Sequence, residues 1–180
     1  MKMKKWTSVQ ASGNGGGVRV PAGGYVFMCT GVEDVPSREY LRLTYDIAEG
    51  EYKGAFSQGY AADNEWTHQF TVSYSERAEG LFKRLLECLE ASNPSFNVAA
   101  WEQTSNEQAF VGKLFGAAVG NEKYTNQKGE DKERWTLPSW WTVEDIRGGH
   151  FTCPADKDNR TAKQETTTVP TSVYDESIPF

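Results

Sequence analysis

No stretch of this chain approaches the roughly 20 consecutive apolar residues that a membrane-crossing helix needs, which argues against a helical span. The opening segment, Met1 to Val20, is charged, then polar, then glycine-rich. It lacks the apolar stretch of a secretory signal, so the sequence predicts a cytoplasmic protein without membrane contact. Cysteine is sparse: Cys29, Cys88 and Cys153 are far apart, and an odd count without a secretory signal argues against a disulfide framework. The chain has only two histidines, His68 and His150, and no pair of Cys or His has the close spacing of a zinc motif. Buried or free thiols, with no metal and no cofactor, are therefore expected. Cations are also short, with 19 Lys and Arg against 25 Asp and Glu and a formal net charge of −6. That balance is unfavourable for a broad phosphate-binding surface and makes the placement of each cation decisive. The glycine-rich run Ser12–Gly17 is not followed by Gly-Lys-Ser/Thr or preceded by a strand, so it is no phosphate loop and reads as part of a flexible leader, 1–20.

What the chain does have is aromatic and strand-forming. Its 180 residues include 6 Trp, 8 Tyr, 9 Phe and 17 Gly, which suits one mainly β domain with an appendage. After the turn Pro21–Gly24, Tyr25, Phe27 and Cys29 alternate with Val26, Met28 and Thr30 in a first strand. Tyr40 to Ala48 gives the clearest period-two pattern, with Leu41, Leu43, Tyr45 and Ile47 on the face that should enter the core. His68 to Tyr74 is a third strand. Ser75 to Ser92 changes period: Leu81, Phe82, Leu85, Leu86 and Leu89 form one helical stripe, Ser75 is a candidate N-cap, and Asn93-Pro94 stops the helix. Phe110–Val119 reads as a fourth strand, Asn121–Lys132 as a charged hairpin loop, and Trp135–Trp141, interrupted by Pro138, as an edge strand. Thr142–Arg147 suggests a helical turn ending at Gly148-Gly149. From residue 155 the apolar pattern disappears, predicting a disordered linker over 155–173 and a distinct tip over 174–180.

Three strands, a helix and two strands is the order of a five-stranded oligonucleotide/oligosaccharide-binding (OB) barrel, whose helix lies between strands 3 and 4, so the domain is placed at 21–154. Such barrels bind across the strand 2–3 face and with the 1–2 and 4–5 loops. Several rings fall outside the periodic core faces and near cations. A ring can stack on any base for about 1–3 kcal/mol while nearby cations follow the phosphates. The candidate single-strand contacts are Arg42, Lys53, Phe56, Tyr60 and Trp66 on one side, and Lys113, Lys123, Tyr124, Lys128, Arg134 and Trp135 on the other. Packing beneath the long loops is the alternative role for the rings, and Glu122, Glu130, Asp131 and Glu133 dilute the cations of the 4–5 loop. The chain ends Asp175-Glu176-Ser177-Ile178-Pro179-Phe180, an acidic run with an apolar end and a free carboxylate, suited to a partner pocket with a hydrophobic hole and a basic rim.

That hexapeptide resembles the acidic tip of bacterial single-stranded-DNA-binding proteins, with Ser177 where an acid is usual. The domain resembles a family of bacteriophage and prophage single-stranded-DNA-binding proteins through Pro21–Val26, Tyr45–Gly54, Gly112–Gly116, and Val143–Gly149 with Phe151 and Pro154. The resemblance implies an OB barrel without catalysis, acting in DNA replication, recombination or repair in a bacterial host cell. It also implies that Asp175, Glu176, Ile178, Pro179 and Phe180 dock replication or recombination proteins. A homo-oligomer is compatible with the sequence. Two rivals come from the residues themselves. Asp46 with Glu49 and Glu51 could hold a divalent metal as nuclease carboxylates do, or form a solvated strand end. Alternatively the negative net charge would suit an adaptor that touches proteins and not DNA.

Overall fold

The computed structural model describes residues 20–58 and 68–160. The candidate contacts Tyr60 and Trp66, the docking tip and nearly all of the leader lie outside the described residues.

The period-two segments become a curled antiparallel sheet. Its strands are β1 (Gly23–Val35), β2 (Tyr40–Ile47), β3 (Gln69–Ser73), β4 (Leu114–Val119) and β7 (Ser139–Trp141), in the spatial order β3-β2-β1-β4-β7. The remaining strands, β5 (Asn121–Thr125), β6 (Asp131–Trp135) and β8 (Lys157–Asn159), form a second sheet in the order β6-β5-β8. Among the described residues four α-helices join them: α1 (Ala55–Gln58), α2 (Glu79–Ser92), α3 (Val98–Glu102) and α4 (Val143–Gly148). A register shift between Cys29 and Gly31 bulges β1 and tightens the curl. The result is a half-barrel with one main helix between β3 and β4. Its edge strands meet through side chains: the Phe70 ring of β3 lies edge-on to Trp140 of β7 at 5.6 Å. α2 packs against β3, β4 and β7.

Inside the curl the alternation read from β2 is realised, with Leu41, Leu43, Tyr45 and Ile47 all buried. Rings fill the centre: Tyr45 stacks on Phe70 at 4.1 Å, and Phe27 lies between Tyr45 at 4.8 Å and Phe115 at 5.6 Å. Burial pushes the Tyr45 hydroxyl well above its usual range, so it stays neutral. Asn93, buried at the end of α2, donates from Nδ2 to the Leu89 and Leu114 carbonyls, both at 2.7 Å, and accepts from the Leu114 N–H at 2.9 Å. It therefore fastens the helix to the first residue of β4.

Three local expectations change. Ser75 makes no side-chain cap, since its hydroxyl faces Ser73 Oγ at 2.9 Å and a 3-10 turn, Glu76–Ala78, precedes α2. Leu81 is 66% exposed, because the apolar stripe enters the core only from Leu85 onward, with Phe82 partly buried against it. The fourth strand starts at Leu114, since Glu107–Phe110 closes a 3-10 turn that buries Phe110. The helical turn after Thr142 is α4. A capping box starts it, with Thr142 Oγ1 accepting from the Asp145 N–H at 3.0 Å, and Gly149 ends it with φ 71°.

Beyond α4 the chain crosses the outer side of β1 and β4 over glycines. A Cβ on Gly24 would sit 2.4 Å from the Phe151 ring, and one on Gly120 would sit 2.3 Å from the Pro154 carbonyl oxygen. These close approaches steer residues 156–160, expected within the disordered linker, alongside β5, where β8 pairs in parallel. Backbone pairing orders this segment in place of the apolar burial its composition lacks. No helix among the described residues is long and apolar enough to cross a membrane.

Candidate nucleic-acid interface

The connection read as a charged loop is a paired ribbon. β4 bends into β5 at Gly120, where the Thr136 N–H donates to the Gly120 carbonyl and Thr136 Oγ1 accepts from the Gly120 N–H, both at 2.9 Å. Beyond the bend, β5 and β6 pair through Glu122 with Arg134, Lys123 with Glu133 and Tyr124 with Lys132. Asn126 closes the tip, its Oδ1 accepting from the Lys128 and Glu130 N–H groups at 2.9 Å.

This pairing sorts the mixed charges. Successive strand residues point to opposite faces, and directly paired residues share one. One face carries Glu122, Tyr124, Lys132 and Arg134, joined by Lys157 and Asn159 of β8, which pair with Glu122 and Tyr124. The other carries Lys123, Thr125, Asp131, Glu133 and Asp158. Three cations thus stand against one strand carboxylate on the first face, with Glu130 of the ribbon tip reaching in to Lys132, while acids outnumber cations on the second. The Arg134 guanidinium lies 4.7 Å from the centroid of the Tyr124 ring and donates to both carboxylate oxygens of Glu122, at 2.8 and 3.2 Å. The Arg134 and Asn159 hydrogen bonds hold the Glu122 carboxyl below its usual value, so it remains ionised and paired. Lys132 also reaches Glu130 at 3.2 Å. The guanidinium covers one face of the half-buried Tyr124 ring, and stacking of a base would use the opposite face, with cations near enough to meet its phosphates.

The sequence-derived contacts separate on this geometry. Tyr124 and Arg134 share the basic face, and Lys128 is exposed at the ribbon tip. Lys123 points to the opposite face, 3.9 Å from Glu133. Trp135 turns inward: it stacks on Tyr25 at 6.1 Å, meets Phe56 edge-on at 5.9 Å and donates from Nε1 to the Val20 carbonyl at 3.3 Å. Phe56 is buried against Tyr45 and His68 and offers no ring face to a ligand as placed. Packing beneath the connections, the alternative role weighed for these rings, fits Phe56 and Trp135. Arg42 lies on the outer β2–β3 face with Thr44, Gln69 and Thr71, but its guanidinium is engaged by Glu33 at 2.6 Å and by the Tyr40 hydroxyl at 3.3 Å. Lys53 is exposed in the turn before α1, and Lys113 donates to Ser95 Oγ at 2.8 Å. Lys132, Lys157 and Asn159 are absent from the sequence-derived set. The alternation Glu122-Lys123-Tyr124 against Lys132-Glu133-Arg134 was the available signal for Lys132.

The three carboxylates of the nuclease alternative are divided. Asp46 is buried, accepting from the N–H groups of Ile47 at 2.8 Å and of Phe56 and Ser57 at 3.2 Å, so its charge caps the short helix α1. Glu49 pairs with Arg147, which ties the end of β2 to α4. Glu51 is exposed in the following turn. Among the described residues no cluster of three or more His, Cys, Asp or Glu is placed to hold a metal ion, and Cys29, Cys88 and Cys153 are all free thiols. The chain matches no family model and no curated protein.

Proposed function

We propose that this chain is a single-stranded-DNA-binding protein of the OB type, acting in phage or prophage replication or recombination and binding largely without sequence preference. The observation that carries the proposal is the sorting of charge on the β5–β6–β8 ribbon, which gives an acidic protein a local basic face around Tyr124. Support also comes from the half-barrel with its helix between β3 and β4, because OB barrels use the strand 4–5 connection, which here is the ribbon itself. The terminal hexapeptide, similar to a known docking tip, supports recruitment of partner enzymes through the C-terminus. A flexible tether would raise the local concentration of such partners without fixing their position. In this role the protein binds and delivers; it carries out no bond-breaking step.

The test is a titration of the full chain with labelled single- and double-stranded oligonucleotides of equal length. Binding to oligo-dT is expected at low salt, weakening as salt rises through counterion release, with the duplex bound more weakly because its bases are not available to stack. Absence of oligo-dT binding at low salt would favour the adaptor role.

A further inference from the structure

We infer that β8, the short strand leading into the C-terminal tail, is a working part of the single-strand site, with Lys157 contacting phosphate and Asn159 shielding the Glu122 carboxylate. This rests on the single-strand-binding proposal above and adds a segment whose sequence looked like linker. By register, Lys157 pairs with Glu122 and Asn159 with Tyr124, so both side chains share the face of the ring. Neighbouring strands are about 4.8 Å apart, which puts β6 and β8 on either side of β5 at a total span of about 10 Å. Lys132 and Arg134 therefore line one side of Tyr124 and Lys157 the other. A base stacked on the ring would have a cation within reach of its phosphates on both flanks.

β8 also handles the group most hostile to such a ligand. Glu122 stands in the middle of the face, and an open carboxylate there would repel phosphate. Asn159 Nδ2 donates to Glu122 Oε1 at 2.7 Å while Arg134 holds the other side, leaving the Glu122 side chain 13% exposed. The strand is held in position: Asp156 Oδ1 accepts from the Asn121 N–H at 2.8 Å, and Pro154 lies against Gly120. Lys157 itself is exposed, opposite Glu122 across the strand pair, and its charge acts on that carboxylate.

The experiment compares Lys157→Glu with Lys83→Glu in the full chain, by anisotropy of a labelled thymidine oligonucleotide at low salt. Lys83 is exposed on α2, away from the ribbon, and its reversal changes the net charge equally. Lys157→Glu is expected to weaken binding about tenfold and to reduce the slope of log K against log salt by about one, while Lys83→Glu stays within about twofold of wild type. Asn159→Ala, which opens Glu122, is expected to weaken binding about threefold. Should Lys157→Glu unfold, Lys157→Gln carries the same test with a smaller loss, about threefold. Equal effects of the Lys157 and Lys83 variants on a wild type that does bind would overturn the role of β8 and leave the proposed function standing. A wild type that binds no oligonucleotide would overturn both.

Discussion

Replacing Lys132 and Arg134 together by glutamine is expected to weaken oligo-dT binding about thirtyfold at low salt, equivalent to about 2 kcal/mol. Two positive charges leave the face that carries Tyr124, and each lost phosphate contact should lower the salt slope by about one. Arg134 has a second effect. It occupies both oxygens of Glu122, so its removal leaves that carboxylate with the Asn159 hydrogen bond and the more distant charge of Lys157, and turns a less fully paired group toward the ligand. The cation–π contact that orients the Tyr124 ring is lost as well. Glutamine keeps the bulk of both side chains and avoids placing like charges opposite each other across β5 and β6. The fold should hold because both residues are exposed, and exposed ion pairs contribute little to stability. A loss below threefold with an unchanged salt slope would place the phosphates elsewhere on the molecule.

Asn93→Ala is expected to destabilise the domain by about 2–4 kcal/mol, because it removes three hydrogen bonds at once and strands backbone groups that are buried or part-buried. The Leu114 N–H and carbonyl both face the Asn93 amide, and both lie where β4 begins. Without the amide these part-buried groups lose their partners, and α2 loses its polar link to the sheet. The corresponding fall in melting temperature is roughly 10 °C for a domain of this size, measurable by calorimetry or circular dichroism. A change smaller than about 0.5 kcal/mol would mean that water replaces the amide at little cost.

How far the sequence could be read depended on which force set each element. Strand β2 was legible because from Tyr40 to Tyr45 half-buried and buried side chains alternate, and that alternation leaves period two in the sequence. α4 was legible because Thr142, Asp145 and Gly149 are local capping signals. Phe56 was misleading for the opposite reason. It lies in an irregular connection, where no periodicity distinguishes a ring that returns to the core from one that faces solvent, and here it returns to Tyr45. Lys123 and Tyr124 are adjacent in sequence and invite treatment as one patch, but strand pairing sends them to opposite faces. A loop assignment for 121–132 had no means of making that separation. β8 was the least legible, since Lys157–Asn159 is held by backbone bonds to β5, by the Asp156 cap on Asn121 and by close packing over glycines. None of these leaves a hydrophobic pattern.

The most direct test of a DNA strand on the Tyr124 face is photo-crosslinking of the intact protein to an oligonucleotide carrying 5-iodo-deoxyuridine, with the adduct located by mass spectrometry. Stacking on this ribbon predicts that the main adduct is on Tyr124, and that it disappears when excess unlabelled oligo-dT competes. Adducts confined to the outer β2–β3 face around Tyr40, with none between residues 121 and 160, would contradict it.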